Sequence, residues 1–341
     1  MPARRLLPIL AALLLVVLGL LTGAEHERTA PTSGPTDLGL YAYAVRAAAD
    51  PSSYYAHVIA EQRREGYQLK PFVTVRPPAL SFLLAALGTE TLRRLAIAAL
   101  ALASLAAWWV RLGREAVAPL PRALDIIALA TGALTAIAPQ APYMHEVWAG
   151  LLISLSLALR SETRFTAAVA AGLAAALVRE LAVPYLAVMM ATALLGRHWR
   201  EAAGWALAIL LFAAALVLHA HSVDALVLPS DHAGAGWMKV SGWPFVLHAA
   251  QWNAVLAVSP AWVTAIAVPV ALAGAATWAS SLGRRLAATL VAYALAFAVI
   301  GRPENFYWGL MFAPLLPLGF ARACRGLRLA RMPSLAVAQP S

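Results

Sequence analysis

The sequence runs to 341 residues, of which 62% are hydrophobic and only 12% charged. An average soluble domain carries about 25% charged residues. Half that proportion, with a mean hydropathy of +0.73, excludes an ordinary soluble enzyme, and the high hydrophobicity excludes a disordered chain. The composition predicts an all-α protein, a polytopic transmembrane helical bundle formed by residues 1–341 as one unit. The net charge of +10 would suggest nucleic acid in a soluble protein. Here the basic residues cluster at the ends of apolar runs and form no strip interleaved with aromatics, so no nucleic-acid partner is expected. The single cysteine, Cys324, excludes an internal disulfide and a cysteine-based metal site.

In chain order, Arg4 and Arg5 precede an apolar run over 6–21 that closes on Thr22-Gly23-Ala24. A cleaved signal peptide looks similar. The run reaches about the 17-residue minimum for crossing, so it reads as an uncleaved first span. A long polar stretch over 25–76 follows, and then Pro77-Pro78 opens a short apolar piece, 79–87. At 1.5 Å per residue that piece covers about 14 Å. This cannot cross a hydrocarbon core about 30 Å thick, so it is read as an interfacial or re-entrant helix. Further spans are expected at 95–110, 123–138, 147–159, 165–178, 181–195, 202–218, 254–280, 286–300 and 306–321. That makes about ten spans with the first, several of them short enough to need shielding by neighbours. Strand-type alternation is absent, so a barrel is not expected, and the sequence shows no convincing internal repeat.

Basic residues set the orientation. With the N-terminus inside, the turns holding Arg111 and Arg114, Arg160 and Arg164, Arg197 and Arg200, and Arg284 and Arg285 face the cytoplasm, as does a tail over 322–341. The segment 25–78 is then a long first extracytoplasmic loop. The outer face receives Asp37, Tyr41, Asp50, Tyr55 and Arg76 from that loop. It also receives His145 and Glu146, Arg179 and Glu180, the loop 219–251, and Arg302, Glu304 and Asn305. A central arginine costs about 2.5–3.5 kcal/mol on insertion scales, so polar groups converging on one face at membrane depth suggest a site.

Each feature has two readings. Arg179-Glu180 is either an ion pair capping two short helices or an arginine holding a phosphate, because guanidinium matches phosphate oxygens bidentately. His145-Glu146 looks like half a metal site, but no HxxxH or HExxH spacing accompanies it, and no metal or other cofactor is expected. His219 and His221 read as interfacial, and Asp231-His232 is a possible second acid–base group. Trp237, Trp243, Trp252 and Trp262 read as an interfacial belt, with stacking on sugar rings as the functional alternative. Asp37 is a good helix N-cap residue. Lying just beyond an outward-going span, it is also placed to meet both a lipid-linked phosphate and a polar acceptor.

The order Asp37…Tyr41, Tyr54-Tyr55, Arg76-Pro77-Pro78 and then Gly172–Pro184 with Arg179 resembles the GT-C superfamily of polyprenyl-phosphate-sugar-dependent glycosyltransferases, with glycosyltransferase family 87 the nearest pattern. The resemblance covers roughly residues 6–190; beyond it only the hydrophobic pattern matches. It implies a GT-C-like fold and transfer of a sugar, with mannose one candidate, from a polyprenyl phosphate to a glycan or lipid acceptor on the outer face. Such a donor needs no nucleotide, and no Gly-rich phosphate loop is present. The resemblance implies Asp37 as general base, with Asp50 second. Arg179, Arg76 and Arg302 become phosphate-binding candidates. Tyr41, Tyr55, His145, Glu146, Glu180 and Asn305 become substrate-binding candidates. The Ala- and Arg-rich composition points to the inner membrane of a GC-rich bacterium, with both termini cytoplasmic.

A transporter or flippase of a lipid-linked or anionic substrate is the alternative class. It would favour polar groups at mid-bilayer in broken helices and repeated halves. A polymerase-like or ligase-like lipid-carrier enzyme would place its large loop late, whereas here it comes early. A scaffold without chemistry leaves the convergence of charges on one face unexplained.

Overall fold

The structure, a computed structural model, describes residues 3–22, 37–234, 236 and 239–331. The expectations for 25–36, Trp237 and 332–341 lie outside the described residues, as do the side chains of Arg4, Arg5, Arg328 and Arg331. All regular structure among the described residues is helical, apart from one isolated bridge between Lys70 and Ala233.

The chain begins with α1 (Ala3–Thr22). The polar segment then folds as α2 (Asp37–Ala47), α3 (Tyr54–Arg64) and a 3-10 turn (Phe72–Thr74), followed by the short α4 (Ala79–Leu87). The bundle continues through α5 (Glu90–Arg114), α6 (Pro119–Ala133), α7 (His145–Leu159), α8 (Thr166–Val178), α9 (Val183–Leu195) and α10 (Trp199–Asp224). It closes with α11 (Gly242–Ala250), α12 (Ala254–Val258), α13 (Ala261–Ala276), α14 (Ser281–Val299), a 3-10 segment (Pro303–Met311) and α15 (Leu316–Arg331).

Four helical stretches are long and apolar enough to cross a membrane alone: Glu90–Arg114, Pro119–Ile137, Trp199–Asp224 and Ser281–Val299. The others are shorter. α7, at 15 residues, covers about 22 Å and falls short of a bilayer core. It is buried on nearly every face, from His145 through Leu151 and again at Ile153, Ser154 and Ser156–Ala158. A helix apolar all round belongs in a protein interior. α5, α8 and the 303–311 segment pack around it, while α13 packs between α1 and α15.

Two contacts fix the 303–311 segment. A side chain on Gly150 of α7 would run into the Leu310 carbonyl, and one on Gly309 would run into the Ala249 carbonyl of α11. The backbones touch there because neither position carries a Cβ.

A buried ion cluster shows which helix ends lie together. Arg160, just past α7, reaches Glu201 of α10 at 2.6 Å and Ser281 of α14 at 2.8 Å. Arg285 of α14 reaches the same Glu201 at 3.0 Å. All three charged residues are nearly inaccessible. The end of α7 and the starts of α10 and α14 therefore share one end of the bundle. The start of α7 and the ends of α10 and α14 share the other.

The segment before α4 forms a cap over that second end. Tyr54, Val58, Ile59 and Gln62 lie on one face of α3 and bury it, with Leu69, Val75 and Val223 of α10 in the same cluster. Arg63 grips Asp231 through two bonds of 2.6 and 2.7 Å, and the His232 carbonyl accepts from Leu69 and Lys70. The Asp231 carboxylate and the His232 backbone carbonyl thus fasten the 226–234 loop to the cap. The Arg63 guanidinium holds the Asp231 carboxyl well below the usual carboxylate range. α4 stays at the same end: Tyr54 meets Ser81, and the Leu84 carbonyl accepts from Arg93 at 2.8 Å.

Several expected boundaries change, each for a local reason. The stretch expected as a loop over 219–251 contains the end of α10 and the buried α11. The single span expected at 254–280 is broken at Ser259-Pro260, where the proline holds Ser259 extended (ψ 150). α14 starts before the apolar run because Ser280 caps it, accepting from Gly283 at 3.2 Å. The span expected at 306–321 is a 3-10 segment, a turn and then α15, which runs on to Arg331. The start of the expected tail at 322 is therefore helical.

Replacing Glu201 by Ala leaves two buried arginines without their partner. Such losses cost about 3–5 kcal/mol. A sharp fall in the thermal midpoint of the purified chain in detergent is expected; an unchanged midpoint would remove the cluster from the account of the fold.

Candidate functional site

The site forms where the cap meets the second end of the bundle. Asp37 opens α2, and Tyr41 follows one turn later on the same side of the helix. Arg76 directly precedes Pro77-Pro78, which lead into α4. Its Nε and Nη2 donate to the Tyr41 hydroxyl at 3.2 and 3.0 Å. The Tyr41 ring in turn stands edge-on to His145, with centroids 4.9 Å apart.

His145 and Glu146 begin α7, and both are buried. Arg179 sits at the break between α8 and the 3-10 turn Glu180–Ala182, in an extended conformation (φ −149, ψ 117). From there its guanidinium reaches Glu146 and Glu180, each at 2.6 Å. The Glu146 approach is too far off line to count as a hydrogen bond and is an ion contact. Neither ring nitrogen of His145 has a hydrogen-bond partner of good geometry among the described residues.

A polar cavity of about 300 Å³ opens in front of this cluster. Asp37, Tyr41, Gln62, Tyr67, Thr74 and Arg76 form the wall supplied by the cap. Arg302, Glu304, Asn305 and Tyr307 form the wall supplied by the segment after α14. Tyr67 hydrogen-bonds the Asp37 carboxylate; burial, with the Asp37 charge adding to it, pushes its hydroxyl pKa up to about 12. Arg302 lies 3.6 Å from Glu304.

The candidates expected from sequence divide into three groups. Asp37, Tyr41, Arg76, Arg302 and Asn305 line the cavity. His145, Glu146, Arg179 and Glu180 stand behind it, within electrostatic reach of Arg76 or in ring contact with Tyr41. Asp50 and Tyr55 are elsewhere. Asp50 lies beyond the far end of α2, a helix about 16 Å long. It is exposed and accepts from Ser52 and Ser53 at 2.7 Å each, and the Ser52 contact holds its carboxyl below the usual range. This is turn chemistry.

Tyr55 contacts His219 Nδ1 at 2.9 Å, and His219 Nε2 meets the Val75 carbonyl at 3.0 Å. A carbonyl only accepts, so Nε2 carries the proton and Nδ1 accepts from the Tyr55 hydroxyl. The pair therefore anchors the residue next to Arg76 and takes no place in the cavity.

The tryptophans expected as a belt also divide. Trp262 is exposed on the outside of the bundle, Trp243 is buried beside Gly19, and Trp252 stacks on Phe306 at 5.5 Å. Among the described residues, no three His, Cys, Asp or Glu side chains converge to hold a metal ion. Tyr307 is among the cavity residues that sequence reasoning missed, together with Gln62, Tyr67, Gln68 and Thr74. Pro303 and Pro314 on either side of Tyr307 were the available sign that no continuous helix runs there.

Compared with family models, curated proteins and solved structures, the chain has no match in any of the three.

Chemically, the cavity offers an accessible carboxylate, a guanidinium whose bonding partner is neutral, and several hydroxyl and amide groups. Such a lining suits a polar, polyhydroxylated ligand bearing an anionic group. His219→Leu removes the donor to the Val75 carbonyl. A buried acceptor left unpaired costs about 1–3 kcal/mol, so amides over 72–76 should exchange with deuterium about 5–150-fold faster. Unchanged exchange there would mean that His219 does not anchor Arg76.

Proposed function

We propose that the chain is an integral membrane glycosyltransferase that moves a sugar from a polyprenyl-phosphate donor to a glycan or lipid acceptor at the extracytoplasmic face. The observation carrying this reading is the shared cavity of Asp37 and Arg76 at the bundle end opposite the Arg160–Glu201–Arg285 cluster. On this reading the fold is GT-C-like with about ten crossings, the termini are cytoplasmic, and the membrane is the bacterial inner membrane. The arginine-rich turns on the opposite side support that orientation. Mannose is the sugar to test first.

In the proposed reaction the acceptor oxygen attacks the anomeric carbon. Its proton passes to the Asp37 carboxylate. The bond from the anomeric carbon to the phosphate oxygen breaks, the electron pair stays on that oxygen, and polyprenyl phosphate leaves. One displacement of this kind inverts the anomeric centre. Arg76 supports the charge developing on the phosphate, and the remaining cavity hydroxyls and amides hold the sugars. Asp50, engaged by its own serines at the far end of α2, has no part in this scheme.

The test is transfer of radiolabelled sugar from a panel of polyprenyl-phosphate sugars in membranes. Asp37→Asn keeps size and capping ability but removes the base, so activity should fall by about 10²–10⁴-fold at unchanged protein level. Asp50→Asn should retain activity. Full activity in Asp37→Asn would remove Asp37 as the base.

A further inference from the structure

The cavity separates three arginines that look alike in sequence. Arg179 is held between two carboxylates at 2.6 Å each, so a phosphate approaching it would meet both negative charges. Arg302 has Glu304 at 3.6 Å. Arg76 bonds only to the neutral Tyr41 hydroxyl among the described residues, and its Nη1 makes no hydrogen bond there. Its charge is the one least cancelled by direct contact.

Opposite Arg76 stands Tyr307. It lines the same cavity, within electrostatic reach of Arg76 and Asp37. Its hydroxyl makes no hydrogen bond among the described residues. Its backbone is fixed by the close approaches of Gly150 to Leu310 and of Gly309 to Ala249. A phenol hydroxyl on an anchored segment, with no other partner among the described residues, is available to donate toward developing negative charge.

We propose that Arg76 and Tyr307 together form the phosphate subsite of this cavity, with Arg179 as a bracing residue outside it. This rests on the glycosyltransferase reading for its role in reaction and on the cavity geometry alone for its role in binding. Within the reaction, Tyr307 donates to the oxygen that leaves the anomeric carbon, while the acceptor proton goes to Asp37. Tyr307 is then a catalytic residue contributed by the last part of the chain, while Asp37 and Arg76 come from the first.

The test measures binding of farnesyl phosphate, farnesol and inorganic phosphate to the full chain in nanodiscs, alongside sugar transfer. Wild type should bind farnesyl phosphate more tightly than farnesol, and inorganic phosphate should compete for the site. Tyr307→Phe should weaken farnesyl phosphate binding about tenfold or more, the value of a hydrogen bond to a charged group. Farnesol binding should not change. Tyr307→Gln, which keeps a donor, should retain more binding than Tyr307→Phe, and transfer by Tyr307→Phe should drop by about 10²-fold. Wild-type affinity in Tyr307→Phe, or a wild type that binds farnesol as well as farnesyl phosphate, overturns the subsite. Binding that depends on Tyr307 in a chain that transfers no sugar from any donor keeps the subsite and removes the glycosyltransferase reading.

Discussion

Arg179 is an arginine inside an apolar bundle, and its two carboxylate partners account for much of what surrounds it. Taking an ion out of water costs several kcal/mol even after relaxation. Glu146 at the start of α7 and Glu180 after α8 offset that cost by pairing with it at 2.6 Å each. Breaking α8 at Arg179 brings its guanidinium to both acids. That break fixes the beginning of α7 and the turn into α9 against each other. The surface so formed is the back of the cavity, and Arg76 stands in front of it with its charge less directly opposed.

The same device recurs at the opposite end, where Glu201 joins Arg160 and Arg285. Between the two clusters run helices too short to satisfy a bilayer by length alone. They depend on mutual burial, seen most fully in α7. The cap formed by α2, α3 and the residues up to Val75 completes the architecture. It brings Asp37 and Arg76 to the cavity and fastens itself through His219 and the Arg63–Asp231 pair. Charges deep in the bundle thus hold the helices, and less opposed charges at its rim are left available for a ligand.

Much of this was legible in the sequence where polarity interrupts an apolar run. Arg160, Arg179, His145 and Glu146 stand out for that reason, and the all-helical class follows from composition. Asp37, Tyr41 and Arg76 were grouped in the sequence by the order of motifs that carries the family resemblance. Other features depend on packing that no local pattern encodes. Asp50 looks as suitable a base as Asp37 until the fold places it beyond the far end of α2, outside the cavity. Tyr55 looks like a ligand-binding residue until His219, far along the chain, is seen to accept its hydroxyl. Tyr307 was hidden because an apolar stretch with aromatics reads as a span. Its true path depends on glycines that let backbones touch. α11 was hidden because Gly242 and Pro244 at its start look like a loop.

Sugar transfer from a lipid phosphate, the reaction proposed for the cavity between the cap and the 302–307 segment, leaves a stereochemical signature. The most direct measurement uses the purified chain in liposomes with a polyprenyl-phosphate sugar and determines the anomeric configuration of the product by NMR. A single displacement gives a product inverted relative to the donor. Retention of configuration would contradict the single displacement. Lipid-linked sugar that crosses the bilayer without being consumed would contradict the enzyme itself and identify a transporter.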